Sequence, residues 1–208
     1  YSGTNNQETG VDEADFVKTD GYSLFVLNGQ KLVVFDVPEF GLLSDKAALD
    51  IEGRPGNMLL YKDNATGRAT RGIIFSSLGS RDLEEDNPLL PFITDNVSDE
   101  WYYSVPSLTK ITVVDLSSAD SPQVLRELYL EGSYQTARLI KSAVHMVAYS
   151  WMDVPGLIYW PELPDSFYDL PDDNSMRQEL WDAAVNDAIS KNNALIDALS
   201  LADLIPAI

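Results

Sequence analysis

The chain has 208 residues, with 33 acidic against 14 basic side chains and a formal net charge of −19. It has no cysteine and a single histidine, which excludes a disulfide framework and a Cys-type zinc site, and any imidazole-dependent nucleophilic catalysis would have to run through His145. Neutralising phosphates needs a basic face, so nucleic acid is a poor partner, and no apolar run approaches the ~18 residues of a membrane span.

Hydrophobic residues make up 45% of the chain, enough for a packed core. No signal peptide is visible, and the start at Tyr1 without Met suggests a processed or trimmed product. Its opening is acidic. Asp12-Glu13-Ala14-Asp15 matches a helicase motif in letters only, because no phosphate loop of the GxxxxGK[ST] type accompanies it. Ca²⁺ needs about six to eight oxygens, and Asp12, Glu13, Asp15 and Asp20 beside a Gly turn offer several. Ca²⁺ is therefore the cofactor these residues allow, although the spacing is not that of an EF-hand. The competing reading has the same side chains capping turns and pairing with Lys18.

Strand-type segments dominate the next 130 residues or so. Ser23–Asn28 and Lys31–Val37 are β-rich and meet at Asn28-Gly29, a strong hairpin signal. Further runs follow at Ala47–Ile51, Met58–Tyr61 and Ile73–Ser76. A second series appears at Lys110–Leu116, Leu125–Leu130, Ala137–Ile140 and Val144–Tyr149. The two series superpose at an offset of 79. Lys31 falls on Lys110, Val34 on Val113, Asp36 on Asp115, Leu49 on Leu128, Glu52-Gly53 on Glu131-Gly132, Leu60 on Leu139 and Lys62 on Lys141. These are 8 identities in 32 ungapped positions, where chance gives about two. After Lys62 the first copy has a longer turn, and register resumes near Ile74 against Val147.

Repeated units of about four short strands predict a mainly β chain, a β-propeller of two blades and the start of a third. A β-sandwich would lack the repeat. Residues 1–151 are assigned to the blades. Residues 79–107, with seven acids against Arg81, read as an acidic insertion between equivalent strands. Residues 152–208 read as a Pro- and aromatic-rich loop plus an amphipathic helix, an insertion of the same propeller. Ser175 and Gln178 form a capping-box pattern, and apolar residues at helical spacing predict a helix over about 176–199. Its apolar end at Leu201, Leu204 and Ile205 is expected to dock on the blades or on a partner.

Residues 1–7 (Tyr-Ser-Gly-Thr-Asn-Asn-Gln) and 10–21, which include Val-Asp-Glu-Ala-Asp, closely resemble the start of a family of secreted bacterial and archaeal β-propeller proteins. That family is distantly related to WD40 repeats. The stretch Thr109–Trp151 is similar to a later part of the same family. The resemblance implies a propeller fold and an extracytoplasmic location, in proteins that often carry an export or lipoprotein signal. It implies no reaction and supplies no catalytic residues.

Asp36 and Asp115 follow equivalent strands and are expected to bond backbone N–H groups at blade turns. His145 reads as a strand residue alternating away from Val144 and Met146. Trp101, Tyr102, Tyr159 and Trp160 lie in insertions, where they either contact a glycan or protein partner or pin the loop to its own domain. The sequons at Asn64 and Asn96 carry little weight in the prokaryotic protein that the resemblance implies. Two functions follow. One is an exported binding or scaffolding module, associating with further blades or with itself. The alternative is a carbohydrate-active hydrolase or a Ca²⁺-dependent binding protein. A hydrolase would need two carboxylates about 5–9 Å apart.

Overall fold

The computed structural model describes residues 11–39, 41–79, 82, 83, 87, 107–150, 154 and 156–201. The chain divides into two compact units, one reaching to residue 151 and the other covering Met152–Ile205. Among the described residues, the first holds eleven strands: β1 (Val11–Glu13), β2 (Val17–Thr19), β3 (Ser23–Asn28), β4 (Lys31–Asp36), β5 (Ser44–Asp50), β6 (Arg54–Lys62), β7 (Ala69–Leu78), β8 (Leu108–Asp115), β9 (Gln123–Glu131), β10 (Ser133–Ile140) and β11 (Ala143–Tyr149). They pair into three antiparallel sheets, in the orders β2-β3-β4-β5, β6-β7-β8-β9 and β1-β10-β11. We call these blades 1, 2 and 3.

The offset of 79 maps β4 on β8, β5 on β9 and β6 on β10, and after the longer turn of the first copy β7 corresponds to β11 with Ile74 near Val147, so the repeat seen in the sequence is a repeat of blade positions. It is permuted relative to the blades, because it begins at a third strand. The Glu-Gly pairs of the repeat mark the crossover from the fourth strand of one blade to the first strand of the next. Gly53 has φ +79°, and a Cβ there would lie 2.8 Å from the Ser77 carbonyl oxygen. Gly132 has φ +111°, and a Cβ there would lie 2.8 Å from the Tyr149 carbonyl oxygen. The crossover runs against the end of the second strand of the blade it enters, and only glycine fits both the backbone and the space.

Alternation along the strands sends two rows of side chains from blade 2 to opposite neighbours. Met58, Leu60, Ile74 and Val114 pack with Phe25, Leu27, Leu32 and Val34 of blade 1. Leu59, Ile73 and Phe75 pack with Ala137, Leu139 and Tyr134 of blade 3. The Phe75 and Tyr134 rings stack at 4.8 Å. This face-to-face stacking of separate sheets, joined in sequence, is what excludes a two-sheet sandwich.

The first two strands were not legible as strands. They form a strap over Val11–Thr19 that runs along the first-strand edges of all three blades. β1 pairs with β10 of blade 3, Asp15 forms a two-way backbone bridge with Met58 of β6, and β2 is the first strand of blade 1. The second-to-third strand link is the Gly29-Gln30 turn in blade 1 and residues 79–107 in blade 2. The described part of that excursion starts with a turn in which the Gly79 N–H donates to the Asp82 carboxylate at 2.8 Å, and Leu83 tucks against Leu78 and Leu108.

Among its described residues the second unit carries two helices, α1 (Asp165–Tyr168) and α2 (Ser175–Ala198). The cap of α2 differs from the expectation. Asn174, not Ser175, is the N-cap, its side chain accepting from the Met176 N–H at 2.8 Å, while the Gln178 amide donates to Asp182. Ser175 already has helical geometry and so cannot cap. The expected apolar stripe is also weak. Ala188 is the buried residue of α2, and Met176, Ile189 and Ile196 are exposed. Asn192 fixes the preceding loop through paired hydrogen bonds with the Ile158 backbone, both 2.8 Å. Among the described residues no helix is long and apolar enough to cross a membrane.

Candidate functional site

The acidic opening was the first candidate, and the structure ties each of its carboxylates to a different structural partner. Asp12 receives the Lys18 ammonium at 2.5 Å on one oxygen and the Leu60 N–H of β6 at 3.0 Å on the other. Lys18 also donates to the Glu13 carbonyl at 2.6 Å and is only 3% exposed. Glu13 faces Arg138 of β10 at 3.5 Å. Asp15 accepts from the Phe16 N–H, and Asp20 accepts from the N–H groups of Tyr22, Ser23 and, across to blade 2, Ala69 at 2.8 Å. Of the four carboxylates, Lys18 meets that of Asp12 alone. Among the described residues, no group of three or more Asp, Glu or His side chains is placed to hold a metal ion. The arrangement fastens the strap to blades 2 and 3.

A second polar cluster, unforeseen from the sequence, lies between blades 1 and 2. Lys110 on β8 is 2% exposed and pairs with Glu52 of the crossover and with Glu127 of β9, the latter at 2.5 Å. The Tyr129 hydroxyl donates to Glu52 at 2.7 Å, and the ammonium lies 5.1 Å from the Tyr129 ring. Burial alone would lower the Lys110 pKa, but the hydrogen bonds with Glu127 and Glu52 outweigh it and hold the pKa above the ordinary lysine range. Burial, reinforced by the bond to Glu52, raises the Tyr129 pKa. The hydroxyls of Ser76 and Thr112 are buried on the same face without a hydrogen-bond partner. The signal was present in the repeat, which pairs Lys31 with Lys110 and Glu52 with Glu131. It could not be read as a contact, because the partners lie 58 residues apart.

The turn residues Asp36 and Asp115 differ from each other. Asp115 accepts from the Ser117 N–H at 2.9 Å, as expected, and from Arg71 at 2.8 Å. The backbone and side-chain bonds to Ser117 hold its pKa below the usual carboxylate range. Asp36 instead pairs with Lys46 at 3.2 Å, because β5 places a lysine across the turn. His145 stands opposite Arg138 on the edge strand β11 and is exposed.

A cleft of about 240 Å³ opens between blades 1 and 2, with Phe25, Ala69 and Leu116 as its apolar part. At its mouth the Arg68 guanidinium lies 4.0 Å over the Tyr22 ring. Asp20 and Asp63 line it, but both are committed to turns. Asp63 accepts from the Thr66 hydroxyl and N–H, each at 2.8 Å, and these bonds lower its pKa.

Trp101 and Tyr102 lie outside the described residues. Tyr159 and Trp160 are 55% and 72% exposed, on the loop before α1. The Trp160 ring meets Trp181 edge-on at 5.8 Å, so one of its sides is held by its own unit and the rest faces solvent. Phe167 is buried between Trp181 and Arg177.

Successive antiparallel sheets, stacked face to face and linked from the fourth strand of one to the first strand of the next, define a β-propeller module. The chain matches the family described as Beta propeller domain over residues 1–208, and it belongs to that family. No curated protein and no solved structure shows significant similarity to it.

Proposed function

We propose that this protein is an exported binding or scaffolding module, whose two acidic, aromatic-bearing excursions meet a protein or glycan partner. One observation carries the reading. Both excursions leave from the end of a blade's second strand, β7 in one case and β11 in the other, where blade 1 makes do with a tight turn. The first has seven acids against Arg81, and the second has nine acids against Arg177 within residues 151–187. Among the charged groups of the described blades, by contrast, Lys18, Asp20, Glu52 and Lys110 are committed to holding blades and turns together. Variable chemistry on a rigid scaffold is the usual arrangement for recognition. The extracytoplasmic location rests on the likeness of the opening residues to exported propeller proteins.

The test replaces residues 79–107 by the Gly29-Gln30 turn of blade 1. Intact and replaced proteins are compared on arrays of oligosaccharides and of cationic peptides. Binding by the intact protein that the replacement abolishes, at unchanged melting temperature, is the expected result. Equal behaviour of the two proteins on both arrays refutes a recognition role for this excursion. Hydrolysis of an arrayed glycan would replace the binding module by a hydrolase. Fractionation of the source cells tests the location.

A further inference from the structure

The cleft between blades 1 and 2 is lined by donors and an acceptor that the fold itself does not use. It lies where the β2–β3 turn, the β6–β7 turn and the β8–β9 link meet, at the other end of blade 2 from the point where residues 79–107 leave β7. Its floor is the margin of the core shared by the two blades. Phe25, Ala69 and Leu116 are each no more than 4% exposed, and Ala119 packs against them. Three polar groups line the same space. The Arg68 guanidinium lies 4.0 Å over the Tyr22 ring. That contact engages the flat face of the guanidinium and leaves its in-plane N–H donors with no acid partner among the described residues. Asp63 accepts from the Ala65 N–H, the Thr66 N–H and the Thr66 hydroxyl, all on Oδ1, so its turn bonds leave Oδ2 open. Ser23 is 2% exposed; its N–H donates to Asp20 and its carbonyl accepts from Thr19, while its hydroxyl has no partner among the described residues. Arg68 and Asp63 close one turn, the Asp63 N–H donating to the Arg68 carbonyl at 2.8 Å, yet their opposite charges do not pair with each other.

We propose that this cleft binds a free α-amino acid with an apolar side chain. Its carboxylate pairs with the Arg68 guanidinium, whose planar fork matches two carboxylate oxygens. Its ammonium pairs with Asp63 Oδ2, its side chain covers Phe25, Leu116 and Ala119, and the Ser23 hydroxyl supplies a further hydrogen bond. The charge pattern selects a zwitterion. A plain carboxylate would meet Asp20 and Asp63 with one guanidinium to offset them, and a plain amine would leave Arg68 unmatched. The size agrees, since about 240 Å³ falls below the ~300–1,000 Å³ of sites for drug-sized ligands. The cleft and the excursions share no residue, so neither reading depends on the other.

The experiment titrates the protein with L-leucine, with isocaproate (leucine without its ammonium), with isoamylamine (leucine without its carboxylate) and with glucose. Calorimetry and ligand-observed NMR read the binding. L-leucine should saturate a single site and bind about tenfold or more tightly than isocaproate or isoamylamine, each of which lacks one charge-assisted bond. Arg68→Gln, and Asp63→Asn, which keeps an oxygen for the turn, should each weaken L-leucine by about the same factor while still unfolding cooperatively. Ala119→Phe fills the apolar end and should abolish binding, a check that needs neither charged variant. No binding of L-leucine at millimolar concentration overturns the proposal, and so does equal affinity of wild type and Arg68→Gln. Isocaproate bound as tightly as L-leucine refutes the ammonium contact and with it the zwitterion. Glucose bound in place of L-leucine assigns the cleft to a sugar and also overturns the proposal.

Discussion

Replacing Asp12 by alanine removes the counter-charge of an ammonium, Lys18, that is 3% exposed. Removing one partner of a buried pair costs about 3–5 kcal/mol, because the other charge is left in low dielectric. The Asp12 side chain is itself 17% exposed and Lys18 keeps the Glu13 carbonyl, which places the charge effect near the lower end. The Leu60 N–H also loses its acceptor, which adds about 1–3 kcal/mol for an orphaned backbone donor. The expected loss is roughly 4 kcal/mol, a large share of the ~5–15 kcal/mol of a typical domain. Asp12→Asn keeps an acceptor for Leu60 and should lose only about 2–3 kcal/mol. Adding Lys18→Met to Asp12→Asn should recover most of that, since no buried charge then remains. Urea unfolding followed by tryptophan fluorescence measures all three. An Asp12→Ala protein within about 0.5 kcal/mol of wild type would show that the pair does not hold the strap. A double variant no better than Asp12→Asn would show that buried charge is not the cause.

Gly132→Ala forces a Cβ onto the Tyr149 carbonyl at a φ of +111°, and a loss of about 2–4 kcal/mol in the urea midpoint analysis is expected. Because the folded-state pKa of Lys110 lies above its unfolded value, the contribution of its ion pairs is whole below about pH 10 and falls as pH rises through the folded pKa. The stability gap between wild type and Glu52→Gln should therefore stay constant from neutral pH to about pH 10 and narrow above it, and a gap that closes near neutral pH would contradict the assignment. Since the opening carboxylates are held by Lys18 and by backbone N–H groups, millimolar Ca²⁺ and chelator should give the same melting temperature. A rise with Ca²⁺ would restore the metal reading.

Strand positions were readable because they are local. The β-branched and aromatic runs at Ser23–Asn28 and Lys31–Val37 became β3 and β4, the latter ending one residue earlier at Asp36, and the turn fell on Gly29-Gln30, with Asn28 as the last residue of β3. The repeat was readable because it is long enough to exceed chance, whereas the blade boundaries, which begin two strands away from its start, came from the sheet pairing. The strap was not, since β1 and β2 have three residues each and owe their extended form to neighbours far along the chain, such as Ile140 and Met58. The same distance hid the roles of the acids. Asp12 and Asp20 look alike as carboxylates near turns, and only the folded chain brings Leu60 and Ala69 to them. The helix end was misplaced by one residue, because Asn174 and Ser175 are both good caps and the backbone decides between them.

What the sequence by itself determined is a β-rich repeat, its hairpin signal, its recurring Glu-Gly pair and the location of its acidic stretches. These follow from side-chain period, from φ preference and from self-similarity, all of which are properties of neighbouring residues. The tertiary structure alone decided which charges are buried and with whom. The sequence offers Lys18 as a partner of the nearby acids and marks Lys110 only as a repeat of Lys31, whereas the fold makes each nearly sealed, Lys18 against Asp12 of its own strap and Lys110 against Glu52 of the crossover between blades. Burying an ammonium is unfavourable until a counter-charge and a dry neighbouring sheet arrive together, and that coincidence exists only once the blades have stacked.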